Sequence, residues 1–438
     1  MPRSYPSQKA ADWKSEVRHV RLSGRASVSA IGWHTAVSAD HPAAPLLSAT
    51  AVRRHCQQIY SYVANAESPH FVWHAEQLRP AAAYVADVIR ERYPDLSVPY
   101  HSRWRHFEAG GVDRWGAISR AHALDGAERA RLRIDLVIPS VLLDAGAGAA
   151  WRFLDAPTGQ SLTRSEGLGV ASLDLFTAGT LSSDPSQPLR SDAAALSRTS
   201  AEDIAHAFQV SGNNPLVGLE GRAALLARLG DVAAATPVVF GAPARLGNLF
   251  DYLLAHSRDK EIAADFILST LLRALGPVWP SRMMQEGVAL GDCWPHPAAE
   301  GGHVPFHKLS QWLTYSLLEP LEEAGLTVTG LDTLTGLPEY RNGGLLLDLG
   351  VIEARDATFY SRPLRVEDEA VIEWRALTVA GLDLLVPLVR EALGLSAETF
   401  PLARVLEGGT WAAGRKIAAA RRPGGAPPVN IVSDGTVF

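Results

Sequence analysis

The chain has 438 residues, of which 47% are hydrophobic and 20% charged, and its formal net charge at pH 7 is −6. These values are typical of a globular protein that can bury a large core. The negative net charge disfavours extended binding to nucleic acid, which is a polyanion. Two cysteines, Cys56 and Cys293, are too few for a disulfide framework. No apolar run resembles a signal peptide or a membrane span, so we expect a cytoplasmic protein.

Helical patterns dominate the chain, because apolar residues recur at three- and four-residue spacing over long stretches. The predicted helices cover 48–66, 74–93, 259–275, 309–325, 367–394 and 397–421. Thr199 and Glu202 have the spacing of a capping box ahead of a further short helix. Strand patterns are few and short, at 236–241 and 326–331. The sequence therefore predicts a mainly α fold with few short strands.

Three units are predicted along the chain. Residues 1–47 are interpreted as an N-terminal extension and residues 422–438 as a C-terminal tail. Between them, residues 48–421 are predicted to form a single α-rich catalytic domain, with a division into two helical lobes left open. Long loops rich in Pro, Gly and Ser interrupt this domain, and loops of that length within a compact domain are commonly functional.

Two segments before residue 175 carry dense polar or glycine-rich patterns. Residues 102–115 surround Gly110 and Gly111 with arginines, which fits either a solvated turn with ion pairs or an anion-binding loop.

Asp144 precedes an Ala-Gly-Ala-Gly run that superficially resembles a dinucleotide-binding turn. The third glycine of that turn is absent and Pro139 disfavours a central strand, so a tightly packed helix is the favoured interpretation.

A third segment, 291–308, contains the only cluster of metal-binding residue types at suitable spacing. Cys293 and His296 lie three residues apart, and His303 and His307 four apart. Three prolines interrupt any helix that would present these histidines on one face. We therefore predict no metal and interpret them as loop histidines that pack or contact a ligand.

The fourth segment, 335–351, places Glu339, Tyr340, Arg341 and Asn342 directly before two glycines. A salt-bridged tight turn would account for this pattern. A carboxylate held in a pocket by its neighbours would account for it as well, and such a group can stabilise a cation or activate water.

Five strings in order resemble the uracil-catabolism protein four family. They cover 103–115, 133–153, 164–172, 304–325 and 334–351. The resemblance implies a part in uracil degradation, where cleavage of the N-glycosidic bond between urea and ribose or ribose phosphate is a required step. Residues 336–341 also resemble the acidic-Tyr-Arg turn of queuosine-salvage nucleotide glycosidases, with Glu339 where aspartate is expected. That likeness implies a helical DNA-glycosylase-like core.

The resemblance implies an N-ribosidase that needs no cofactor. Its catalytic candidates are Glu339, with Asp348 as the alternative carboxylate, and His307 or His296 as proton donor. Trp104, Trp312 and Tyr340 are the expected pocket walls, and the phosphate candidates are Arg105, Arg114, Lys308 and Arg341. His106, Glu166 and Asn342 complete the predicted substrate-binding set.

The expected partner is a small phosphorylated ribosyl compound, with no nucleic acid or membrane, and a homodimer is left open. Two other functions remain open at this point. One is a metal-dependent amidohydrolase acting on ureido compounds through residues 293–307. The other is a non-catalytic scaffold for the enzymes of uracil degradation. A helical DNA glycosylase is disfavoured by the acidic balance.

Overall fold

A computed structural model describes residues 41–122, 124–144, 146–148, 150–279 and 283–432. Most of the predicted N-terminal extension and the last six residues of the predicted tail lie outside the described residues. The helices are α1 (Ala49–Ala64), α2 (Leu78–Arg92), α3 (Trp104–Phe107), α4 (Arg114–His122), α5 (Gly126–Leu142), α6 (Arg164–Thr177), α7 (Ala193–Leu196), α8 (Ala201–Ala207), α9 (Leu219–Ala234), α10 (Pro237–Phe240), α11 (Leu249–His256), α12 (Ala264–Leu275), α13 (Lys308–Glu323), α14 (Tyr340–Asp348), α15 (Glu369–Leu393), α16 (Leu402–Arg404) and α17 (Trp411–Arg421), with a π-helical turn at Val405–Thr410.

Strands in the described part of the chain are two or three residues long and form only two-stranded pairs. They are β1 (Phe71–Trp73), β2 (Phe153–Asp155), β3 (Gln160–Leu162), β4 (Glu261–Ala263), β5 (Met284–Gln285), β6 (Val288–Ala289), β7 (Cys293–Pro295), β8 (His303–Pro305), β9 (Thr327–Thr329), β10 (Ile352–Ala354), β11 (Pro363–Arg365) and β12 (Asn430–Val432). The pairs are β1 with β10, β2 with β3, β4 with β9, β5 with β6, β7 with β8, and β11 with β12. The predicted mainly α fold with short strands is confirmed. The glycosylase-like core and the unit boundaries stay predictions.

The centre of the fold is the long helix α15, which is apolar on most of its faces and buried over most of its length. It packs against α1, α2 and α14, while α13 packs against α5. A helix that is apolar all round needs neighbours on every side. The arrangement therefore encloses α15 and brings the beginnings of α13 and α14 close to each other.

The structure differs from the sequence-based prediction at four local features. The strand predicted at 236–241 is wrong, because Pro237 occupies the first position of α10, where its fixed φ favours a helix. The capping box is one residue later than predicted and uses Ser200 and Asp203. The helix predicted over 259–275 begins only at Ala264, because residues 261–263 pair with β9. The helix predicted over 397–421 is divided by the π-helical turn.

One close approach between helices depends on Gly414 of α17. A Cβ atom at this position would lie 2.3 Å from the carbonyl oxygen of Arg341 in α14, far inside van der Waals contact. Because that oxygen belongs to the helix backbone, it cannot move aside as a side chain can. Gly414 therefore sets how α17 lies against α14.

Substitution Gly414→Ala is expected to destabilise the protein by about 1–3 kcal/mol through this overlap. The matched control is Gly221→Ala in α9, where an added Cβ meets no atom within 4 Å. Alanine there should be neutral or stabilise by up to about 1 kcal/mol. Thermal unfolding of both variants checks the prediction, and an unchanged midpoint for Gly414→Ala would contradict it.

Candidate functional site

A cavity of about 700 Å³ opens where α3, α6, α13, α14 and α17 meet, which is a typical size for a small-molecule site. Residues 426–431, close to the end of the described chain, form part of its wall. Its polar and aromatic lining comprises His101, His106, Asp144, Arg164, Ser165, Glu166, Lys308, Trp312, Glu339, Tyr340, Arg341, Tyr360, Trp411 and Arg415.

Glu339 is the N-cap of α14, and its carboxylate is fixed by the helix backbone. Oε2 accepts a hydrogen bond from the Arg341 amide at 2.7 Å, and Oε1 accepts one from the Asn342 amide at 2.7 Å. Burial raises the pKa of Glu339, while these two amides and the ammonium of Lys308 oppose that rise. A helix N-terminus favours a negative charge. The segment that we predicted as a tight turn is therefore a helix start that holds a carboxylate at the cavity wall.

The two glycines after Asn342 allow neighbouring side chains to pack directly against the backbone of α14. A Cβ on Gly343 would lie 2.7 Å from the ring of Trp374, and one on Gly344 would lie 3.0 Å from Pro428. Small residues at these positions let α14 approach both α15 and the C-terminal segment. The glycine pair therefore supports the position of Glu339 by packing.

Lys308 places a cation beside this carboxylate. It is the first residue of α13, and its backbone amide donates to Asp292 Oδ2 at 3.0 Å. Its ammonium has no hydrogen bond or ion pair with any residue that the structure describes. Burial lowers the pKa of Lys308, and the negative charges of Glu339 and Asp144 partly oppose this. A half-buried ammonium at the cavity wall that no described residue bonds is suited to an anionic group of a ligand.

Two arginines of the cavity are held by consecutive backbone carbonyls. Arg341 Nη1 donates to Gly425 O at 3.1 Å, and Arg164 Nη2 donates to Gly424 O at 3.5 Å. Neither guanidinium forms an ion pair with a carboxylate in the described part of the chain. Carbonyls occupy only some of the five N–H donors of each arginine, so the others remain for a ligand. Together with Lys308, these arginines make this side of the cavity suitable for an anion.

The carboxylates on another side of the cavity are already paired. Arg103, which is fully buried, donates through Nη1 to Asp144 Oδ1 at 2.8 Å and through Nε to Ser140 Oγ at 2.7 Å. Arg415 Nη1 bonds Glu166 Oε1 at 2.5 Å. Burial opposes ionisation of both carboxylates, but the positive charges around them hold the pKa values of Asp144 and Glu166 below their usual range.

His106 is a neutral wall residue. Burial, reinforced by the positive charge of Arg103, lowers the pKa of His106 to about 4. Its ring lies edge-on to Trp312 and Trp411, with centroid distances of 5.7 and 6.3 Å. An uncharged imidazole between two indoles can donate or accept a hydrogen bond without adding charge to the cavity.

His101 and Glu407 form a pair that sequence reasoning missed. His101 Nδ1 lies 2.8 Å from Glu407 Oε2, and both side chains are buried. Glu407 belongs to the π-helical turn, and π-turns often occur at functional sites. Burial opposes its ionisation, yet the bond with His101 brings the pKa of Glu407 below its usual range. The two residues are 306 positions apart, so no local spacing links them.

The structure brings seven of the predicted site residues together in this cavity. They are His106, Glu166, Lys308, Trp312, Glu339, Tyr340 and Arg341. All seven come from strings that carry the family resemblance. Asp144, Arg164, Trp411 and Arg415 join them without having been predicted as site residues, although the first two also lie within those strings.

Three predicted catalytic or proton-donating residues lie outside the cavity lining. Asp348 forms a two-bond ion pair with Arg422, at 2.7 and 2.5 Å. His307 Nε2 is bonded to the carbonyl of Leu46 at 2.8 Å. His296 is fully buried, 3.5 Å from Glu373. Their partners give each a structural role, and they take no part in the mechanism proposed below.

Four predicted binding residues also lie outside the lining. Their partners are Ser316 O for Trp104 Nε1 at 2.8 Å, Glu319 for Arg105 at 2.7 Å, Asp155 for Arg114 at 2.6 Å, and Leu337 O for Asn342 Nδ2 at 3.1 Å. The two arginines that were predicted to bind phosphate are therefore occupied by carboxylates. Asn342 contacts the cavity-lining residues Leu337 and Glu339, but its own side chain does not line the cavity.

The segment predicted from its Cys and His spacing forms the hairpin β7–β8. Within the described ranges, no three His, Cys, Asp or Glu side chains gather in a way that would hold a metal ion. The absence of a metal stays a prediction. No helix of the described residues is both long and apolar enough to cross a lipid bilayer.

The protein is mainly α, and its helices surround one cavity that is lined by charged, polar and aromatic side chains. Residues 45–438 match the family model described as "Protein of unknown function (DUF1688)", and the chain belongs to this family. It is 36% identical to "Uracil catabolism protein 4" of Lachancea kluyveri, over 92% of this chain and 100% of that protein. It is 38% identical to "Protein urg3" of Schizosaccharomyces pombe, over 90% and 98%. The predicted resemblance to the uracil-catabolism protein four family is confirmed.

His106 leads to a prediction about acid stability. The unfolded chain protonates this residue near the ordinary histidine pKa of 6.5, whereas the folded protein does so only near pH 4. The free energy of unfolding should therefore fall as the pH is lowered from 6.5 to 4, with a contribution from His106 of about 3 kcal/mol.

Substitution His106→Gln should make the loss of stability over this pH range shallower. The control is His122→Gln, which changes an exposed histidine of α4 and should leave the pH dependence as it is in the original protein. Denaturant unfolding at several pH values measures the effect. Parallel curves for the original protein and His106→Gln would refute the assignment.

Proposed function

We propose that the protein is an N-ribosidase of uracil degradation, which hydrolyses the N-glycosidic bond of a ribosylurea-type compound, preferentially its 5′-phosphate, to urea and ribose phosphate. The observation that carries the proposal is the buried carboxylate of Glu339 in one cavity with the cations Lys308, Arg341 and Arg164. The name of the Lachancea kluyveri relative, "Uracil catabolism protein 4", supports the assignment to uracil degradation.

Breakage of a bond from C1′ of ribose to nitrogen leaves positive charge on the sugar. A carboxylate that is already oriented beneath the ring stabilises this charge without having to reorganise. Each carboxylate oxygen has two lone-pair positions, and the helix amides use one on each oxygen of Glu339. The remaining positions are available to the sugar or to a water molecule that attacks C1′.

The phosphate would bind on the cationic side of the cavity. Lys308 offers an ammonium without a bonded partner in the described chain, and Arg341 and Arg164 offer guanidinium groups that are held in place by Gly425 and Gly424. Charge-assisted hydrogen bonds to phosphate are strong, and arginine suits its geometry. The aromatic rings of Trp312, Trp411 and Tyr340 provide walls for the ribose and the urea.

Substitution Glu339→Gln should reduce the turnover rate by two to three orders of magnitude, about 3–4 kcal/mol, because the charge that the sugar cation needs is removed. Substrate binding should change much less, since the sugar is neutral until the bond breaks. The measurement is release of urea from ribosylurea and from its 5′-phosphate.

Glutamine also turns one acceptor into a donor at a helix N-terminus, so some loss of stability is expected, about 1 kcal/mol. Asp192→Asn is the matched control, because Asp192 is a buried N-cap that accepts hydrogen bonds from two backbone amides and lies outside the cavity lining. It should lose stability and keep its rate. If Glu339→Gln retains more than about a third of the rate, Glu339 only caps the helix.

Substitutions Lys308→Met and Arg341→Gln test the phosphate site. Loss of one charge-assisted contact, roughly 1.5–3 kcal/mol, should weaken kcat/KM for the phosphorylated substrate by about tenfold to a hundredfold. The unphosphorylated substrate should be affected little. Arg105→Gln is the control, because Arg105 binds Glu319 outside the cavity lining. Equal losses on both substrates would mean that the residue supports the fold and binds no phosphate.

A further inference from the structure

Departure of urea from ribose requires a proton on the leaving nitrogen, because a deprotonated urea is a poor leaving group. A side chain that supplies this proton must reach the cavity and must carry the proton near neutral pH. The residues predicted for this role lie outside the cavity lining: His307 is hydrogen-bonded to Leu46 O, and His296 is buried beside Glu373. The proton would therefore come from one of the titratable groups that line the cavity.

Most of those groups are unsuited to donate a proton. His106 is neutral at pH 7, because its pKa is about 4. Asp144 and Glu166 are ionised and paired with arginines. Burial raises the pKa of Tyr340 above its usual range, which makes its hydroxyl a weak acid. Of the two histidines that line the cavity in the described part of the chain, His101 is the one whose ring is bonded to a carboxylate.

The surroundings of His101 fix which nitrogen faces the ligand. Its backbone amide donates to Ala403 O at 2.9 Å, and its ring lies close to the indoles of Trp312 and Trp411, with centroid distances of 6.4 and 5.7 Å. Nδ1 is bonded to Glu407, and an ionised carboxylate can only accept, so Nδ1 carries a hydrogen. Nε2 is the nitrogen that remains for the cavity.

His101 and Glu339 belong to the same cavity and influence each other electrostatically. Both line the cavity, and the positive charge of a protonated His101 is one of the influences that oppose the rise in the pKa of Glu339. A carboxylate for the sugar cation and an acid for the leaving group are the two parts that glycosidases commonly use, and here an imidazole stands in the position of the acid. A carboxylate behind the imidazole, as in other catalytic pairs, orients the ring and stabilises its charged form.

We propose that His101 is the catalytic acid that protonates the departing urea nitrogen through Nε2, and that Glu407 is its positioning residue. This assignment rests on the proposed function. The C1′–N bond breaks with its electron pair on nitrogen, which takes the proton from Nε2. The oxygen of a water molecule bonds to C1′, and the proton released from that water returns the imidazole to its protonated form directly or through solvent. Ribose phosphate and urea are the balanced products.

The test compares two leaving groups in the full-length protein. His101→Gln is assayed on ribosylurea 5′-phosphate, which needs a proton on its leaving group, and on 4-nitrophenyl riboside 5-phosphate, whose leaving group departs as an anion. The variant should lose roughly 10²–10⁴-fold in kcat on the urea substrate. It should lose less than about tenfold on the aryl substrate. Glu407→Gln should also lose more activity on the urea substrate than on the aryl substrate, with a smaller loss overall. Agreement between the two variants would exclude a folding defect in one of them as the cause.

His122→Gln, which changes an exposed histidine outside the cavity, should leave both rates unchanged. Equal losses of His101→Gln on both substrates, or no loss on the urea substrate, would overturn the assignment of His101 and leave the proposed function standing. If the unsubstituted protein releases no urea from ribosylurea or its 5′-phosphate, the proposed function itself fails, and the role of His101 fails with it.

Discussion

The carboxylate of Asp292 holds together the parts of the structure that the cavity depends on. It accepts two hydrogen bonds from Arg375 of α15 at 2.9 and 2.8 Å, one from the indole of Trp294 at 2.6 Å, and one from the backbone amide of Lys308 at 3.0 Å. A buried ion pair offsets its desolvation cost only with such additional bonds. Because the group joins the central helix to the first residue of α13, it determines where the ammonium of Lys308 can reach.

Glu339 combines two functions that impose different demands. As the N-cap of α14 it needs both oxygens close to the backbone amides of Arg341 and Asn342. In the proposed reaction it needs a charge that is fixed and exposed to the sugar. The helix satisfies both, because the bonds that cap it also prevent the carboxylate from turning away. A site built on a helix terminus gains orientation from the fold itself, whereas a carboxylate on a free loop would have to be ordered when ligand binds.

The sequence was sufficient for the mainly α fold, and it placed together those candidate site residues that are close in the chain and line one cavity. Adjacency in the chain identified Glu339, Tyr340 and Arg341 as one group. Lys308 was predicted because it lies in residues 304–325, which carry the family resemblance. Arg105 and Arg114 were predicted to bind phosphate, but their carboxylate partners are 214 and 41 residues away and no spacing reveals such pairs. The same limit hid His101 and Glu407. The strand predicted at 236–241 is wrong for a local reason, since Pro237 occupies the first position of α10.

The participation of residues 426–431 in the cavity wall has a consequence for the order in which the protein becomes functional. The carbonyls that hold Arg164 and Arg341 come from Gly424 and Gly425, and β12 pairs with β11 only when residues 430–432 are present. The helical framework is encoded almost entirely before this point. A nascent chain on the ribosome can therefore assemble its helical core first, yet the wall of the candidate site is completed only after the residues that follow α17 have been translated.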